Sequence, residues 1–140
     1  MNLGCERAGG ERRNAPPFPY FAFFGGSENA PAVFIAATVF TLYAALAPGD
    51  DTAGLIPWDK AKHFIVFYGL TFLAVVALPR SRLWKIGVVL LGFGVGIEIL
   101  QGLPIVGRDA DAFDVVADVC GIGFFCGPIV VAQWLNRDDG

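Results

Sequence analysis

Nine polar residues of this chain fall into three groups whose types and spacings suit a shared chemical site. Asp59 and His63 are four apart, with Lys60 between them, and share one face of a helix. Glu98 and Gln101 are three apart and share another. Arg108 precedes Asp111, Asp114 and Asp118, whose i, i+3, i+7 spacing draws one stripe down a helix. Carboxylates beside a histidine support proton transfer, cation coordination or the hydrogen bonding of a polar ligand. A guanidinium adds bidentate grip on a phosphate or carboxylate.

Each residue also has a plainer role. Glu98 sits in the apolar run GVGIEIL. It reads either as a proton-active or ligand-binding acid, or as half of a buried ion pair with Arg108 that sets helix register. His63 is a metal ligand alongside Asp59, Glu98 or Asp114, or it simply bonds a neighbouring carboxylate. The second role is the plainer one, because spacing does not specify coordination geometry, and no metal or cofactor is assigned on this basis. Asp111 fits the N-cap of a helix, with Asp114 three residues on. Asp118 lies a turn further in, where capping does not explain it. Arg108 either grips a ligand or neutralises the acids around it. Asp59, Glu98, Asp109, Asp111, Asp114 and Asp118 outnumber Arg108, Lys60 and His63. That excess disfavours an anionic ligand unless a cation accompanies it.

The elements that must carry these groups are apolar blocks. The first runs from Pro31 to Ala47, the second from Ala61 to Leu78, the third from Leu83 to Leu103 and the fourth from Phe113 to Leu135. Each is long enough, at about 1.5 Å per residue, to cross a hydrocarbon layer as a helix. Pro48, Pro79 and Pro104 end the first three. Hydrophobic residues make up 55% of the 140, charged residues only 16%, and the mean hydropathy is +0.58. A soluble domain carries about a quarter charged residues. The expected fold is therefore all-α, a polytopic membrane protein of about four transmembrane helices. Its membrane domain spans residues 30–136, and residues 1–29 form a disordered cytoplasmic tail.

The net charge of −3 argues against nucleic acid, which requires a basic face. Cys5, Cys120 and Cys126 make no disulfide framework or zinc spacing. The tail lacks the order of a signal peptide. Arg12-Arg13 has no export motif after it.

Trp58, Trp84 and Trp134 all fall at the expected membrane–water boundaries. On a four-span topology, Arg7, Arg12, Arg13, Arg80, Arg82, Lys85 and Arg137 share one side, and Lys60, Lys62 and Arg108 the other. The positive-inside rule then places both termini in the cytoplasm. The nine polar residues all fall toward the opposite face. Ionisable groups in a span must face the bundle or water, so they are expected to converge on a polar pocket opening outward. Gly92-x-x-x-Gly96 and Gly123-x-x-x-Gly127 suggest that the third and fourth helices pack closely through these glycines.

The ordered set Asp59-Lys60-x-x-His63-Phe64, Glu98-x-x-Gln101, Arg108, Asp111, Asp114, Gly121 and Gly127 resembles the VanZ-like family. These are small bacterial membrane proteins named after a member linked to teicoplanin resistance. The resemblance covers about residues 31–135. Where the family has an asparagine, this chain has Asp118, and a carboxylate donates a hydrogen bond only when protonated.

The resemblance implies a multi-pass protein of the bacterial cytoplasmic (inner) membrane, with membrane lipids and an envelope glycolipid or amphiphilic antibiotic as partners. The expected function is recognition of an envelope lipid, glycan precursor or such an antibiotic. Two alternatives stand beside it. One is a hydrolase or transferase acting on a lipid-linked substrate, although GxSxG and HExxH are absent. The other is a proton-coupled transporter or complex partner, for which a homodimer would serve.

Overall fold

The computed structural model describes residues 29–47, 59–106 and 110–136. All four elements within them are helices: α1 Ala30–Leu46, α2 Asp59–Ala77, α3 Leu83–Gln101 and α4 Ala112–Leu135. The four apolar blocks become these four helices within two residues at each end. The tail at 1–28 lies outside the described residues.

Local chemistry explains the boundaries. Pro31 sits in the first turn of α1, where a missing N–H is harmless. Pro79 follows α2 closely. The third helix stops two residues before the expected Leu103, at Gln101. Gly102 caps it, its N–H directed at the carbonyls of Glu98 and Leu100. The fourth helix continues through Pro128, which leaves the carbonyl four residues earlier without its usual helical donor.

Three helices, α2, α3 and α4, are long and apolar enough to cross a membrane; α1 has 17 residues and is shorter. Their outward faces are apolar. Ile35, Val39, Phe40, Val88, Val89, Phe124 and Val131 are all more than half exposed. In water such a surface would drive association. Against lipid tails it is the appropriate solvent-facing layer, and the chain is a membrane protein on that ground.

The buried core is small and continuous: Phe67, Leu70 and Ala74 from α2, Ile86 and Leu90 from α3, and Ile122 from α4, with Phe34 and Ala37 of α1 packed against it. The most extensive helix–helix interface joins α2 to α4. Aromatic rings run along it, with Phe64 against Phe124, Tyr68 against Phe125 and Phe72 against Phe125 at 5.5–6.0 Å between centroids.

The glycine expectation is corrected. A Cβ added at Gly92, Gly96, Gly123 or Gly127 would meet nothing within 4 Å, so neither GxxxG pair packs a neighbour. The close approaches are at Gly94 and Gly121. A Cβ on Gly121 would lie 2.4 Å from the Phe64 carbonyl oxygen and 3.0 Å from the Tyr68 nitrogen. The tight crossing therefore pairs α4 with α2, through a glycine outside either motif.

Candidate functional site

The start of α2, the end of α3 and the start of α4 lie together, and their polar residues form one cluster. Lys60 and Asp111 are its exposed rim. The Lys60 ammonium donates to Asp111 Oδ2, stands 3.5 Å from Asp114 Oδ1, and lies 5.8 Å from the centre of the Phe113 ring. Asp111 is the N-cap of α4, as its spacing suggested, and its Oδ1 accepts from the Phe113 N–H at 2.9 Å. The bonds from Lys60 and then from the Phe113 N–H hold the Asp111 carboxyl below the ordinary carboxylate range.

Beneath this rim Glu98, Asp114 and Asp118 are buried, and His63 is half-buried. His63 Nδ1 is 2.9 Å from Asp118 Oδ1, and Asp118 is completely buried. With Asp118 ionised, the carboxylate only accepts, and the proton of that bond is then on Nδ1. The opposite ring nitrogen, Nε2, faces Asp114 Oδ2 at 3.9 Å. Asp114 is 4% exposed and Glu98 7%. Glu98 Oε2 accepts from the backbone N–H of Asp111 at 3.0 Å, while Oε1 is buried with no hydrogen-bond partner among the described residues. Asp118 Oδ2 is in the same position.

His63, Glu98 and Asp114 each offer one donor atom, and these atoms lie within 4.8 Å of one another. Nitrogen and carboxylate oxygen together form a ligand set suited to a divalent ion of intermediate softness.

Of the nine residues singled out from sequence, six meet here: Lys60, His63, Glu98, Asp111, Asp114 and Asp118. Gln101 is buried at the same end but turns elsewhere, its amide donating to the Ala45 carbonyl of α1 at 2.9 Å. Asp59 is the first residue of α2, and its side chain lies outside the described residues, as does the whole of Arg108. The expected Glu98–Arg108 pair therefore lies outside the described residues, among which Glu98 accepts from the Asp111 N–H. Spacing gave no sign of three other contributors. Phe113 lies under the lysine. The Asp111 N–H meets Glu98. Gly94 lets Asp118 in, since a Cβ there would fall 2.3 Å from Asp118 Oδ2 and 3.1 Å from Phe67 Cζ.

The chain matches no family model, no curated protein and no solved structure.

Proposed function

We infer that this is a small envelope membrane protein that recognises a polar head group at the acidic end of its bundle. The head group belongs to an envelope lipid, a glycan precursor or an amphiphilic antibiotic. The observation that carries this reading is the burial of Glu98, Asp114 and Asp118 around His63 in a bundle otherwise faced with apolar side chains. Ionisable groups within a span are expensive and tend to mark a binding or transport path. A purely structural cluster would be expected to satisfy its acceptors, whereas Glu98 Oε1 and Asp118 Oδ2 lack donors among the described residues.

In this reading α1 spans as well, about 26 Å of helix being just sufficient, and both termini are cytoplasmic in a bacterial inner membrane. The basic turn at Arg80, Arg82 and Lys85 then faces the cytoplasm, and the acidic end faces outward. The VanZ-like resemblance supports the same setting through Lys60, His63, Glu98, Asp111 and Asp114.

The test is native mass spectrometry of the chain in nanodiscs made from bacterial lipid extract. A defined adduct should be present in the parent and absent from Glu98→Gln and Asp114→Asn, both remaining helical. Identical spectra would defeat the reading and leave the cluster a structural one.

A second reading, a hydrolase or transferase on a lipid-linked substrate, draws on the His63–Asp118 bond. A carboxylate that orients an imidazole is the arrangement of a general base. Near His63 the described residues hold no serine or cysteine to serve as nucleophile, and in this reading water activated by the imidazole attacks.

A further inference from the structure

We propose that His63 Nε2, Glu98 and Asp114 bind one divalent metal ion of the zinc–manganese class, with Asp118 as the positioning residue behind the histidine. The proposal deepens the head-group reading and rests on it only for what occupies the ion's remaining positions.

Four observations converge. First, the donors are already gathered. With metal–ligand bonds of about 2.1 Å, two donors of one ion lie at most about 4.2 Å apart. The present set is bounded at 4.8 Å, so ion binding would draw the three donors slightly closer by side-chain rotation.

Second, the histidine is arranged as a ligand. Metal-binding imidazoles give their other N–H to a carboxylate, which fixes the tautomer and aims the lone pair. Asp118 Oδ1 receives Nδ1 here at 2.9 Å, and Nε2 is turned to the Asp114 carboxylate. With the proton on Nδ1, the Nε2 lone pair faces that carboxylate, and a cation between the two would be bound by both.

Third, Glu98 Oε1 is buried and has no donor among the described residues, while Oε2 is held by the Asp111 N–H. The side chain is thus anchored by one oxygen with the other left for a ligand.

Fourth, the carboxylates are crowded. Among the described residues, Glu98, Asp111, Asp114 and Asp118 gather with Lys60 and His63, and the Lys60 ammonium donates to Asp111 at the rim. A divalent ion would bridge Glu98 and Asp114 beneath that rim.

Three protein donors leave coordination positions open, as in metal sites that take a water or substrate. Those positions would accept a phosphate or carboxylate oxygen of a head group. The ion thus resolves how an acidic cluster receives an anionic partner.

The experiment uses the full chain in phosphatidylcholine nanodiscs, stripped with chelator and equilibrated with Zn²⁺ alone, with bound metal measured by mass spectrometry of the elements. One zinc per chain is expected in the parent and none in His63→Ala or Asp114→Asn. Asp118→Asn should retain the stoichiometry with affinity about 10–100-fold weaker. The parent should also show a zinc-dependent rise in its thermal midpoint, a reading that does not depend on any variant folding. Absence of stoichiometric zinc with no thermal shift overturns the proposal, as does equal uptake by folded His63→Ala and Asp114→Asn. Phosphatidylcholine contains no envelope precursor, so the two readings separate. Zinc uptake without any adduct in bacterial lipid removes the head-group reading alone. An adduct formed without zinc removes the metal alone.

Discussion

His63 Nδ1 and Asp118 Oδ1 meet at 2.9 Å across the α2–α4 interface, with Asp118 excluded from solvent altogether. The bond joins residues 55 apart in the chain, and it lies about one turn below Lys60 on α2 and about two turns below Asp111 on α4. A buried pair of this kind contributes little net stability when intact, but losing one partner is costly. Its value is in orientation.

Asp118→Ala should therefore destabilise the chain by about 1–3 kcal/mol, because the partly buried Nδ1–H of His63 loses its acceptor. Asp118→Asn keeps a side-chain carbonyl that can accept from Nδ1, and should lose distinctly less. Thermal unfolding in detergent, followed by circular dichroism, compares the two. Equal losses would mean that the charge of Asp118, and not its hydrogen bond, holds His63.

Gly94→Ala tests the same bond without replacing a titratable residue. The new methyl would collide with Asp118 Oδ2 and press on Phe67. Overpacking of this kind typically costs about 1–3 kcal/mol. The variant should also bind zinc more weakly than the parent, though it removes no ligand. Unchanged zinc affinity in a stably folded Gly94→Ala protein would show that Asp118 does not set the histidine.

At the α2–α4 crossing, Gly121→Ala should be far more damaging than Gly123→Ala. The first places a methyl against the Phe64 and Tyr68 backbone, which cannot swing aside, and the second points into open space. Gly123→Ala should be neutral, or more stable by up to about 1 kcal/mol from helix propensity. Yield of monodisperse protein and thermal midpoint rank the pair, and the reverse ranking would refute the crossing.

The Gln101 amide is a link to α1, reaching the Ala45 carbonyl at 2.9 Å. Gln101→Leu should loosen α1 by about 1 kcal/mol, the net worth of an ordinary hydrogen bond. Hydrogen exchange should quicken in the last turn of α1 and leave α2 and α4 unaffected. Exchange that quickens throughout would place Gln101 in the core of the bundle's stability instead.

Reporter fusions address topology. Fluorescent-protein and phosphatase fusions at each terminus should both report the cytoplasm if α1 crosses with the other three. Termini on opposite sides would mean that α1 stops short of spanning.

Much of this architecture is legible in the sequence because lipid simplifies the code. Long apolar runs ending at proline or glycine mark helices, and Asp111, Asp114 and Asp118 at i, i+3, i+7 mark the face that meets α2. Asp111 as N-cap follows from the same spacing. What spacing could not supply is the rotation of each helix about its axis. Glycines occur at 87, 92, 94 and 96 in α3 and at 121, 123 and 127 in α4, so several faces compete as packing surfaces. Gly94 and Gly121 prevail because Asp118 and the α2 backbone need the room. Backbone partners were equally hidden. The Asp111 N–H on Glu98 and the Ala45 carbonyl on Gln101 belong to groups that every residue carries, so side-chain identity does not announce them.

Gly121 comes three residues after Asp118, and Phe64, whose carbonyl it nearly touches, directly follows His63. The separation between histidine and aspartate is thus gauged by a main-chain contact next door, which no rotamer change can relax. Frame and chemistry are held by different atoms. Substitutions at 98 and 114 can exchange one ligand preference for another while the gauge stays set, whereas a single methyl at 121 would open it for every ligand alike.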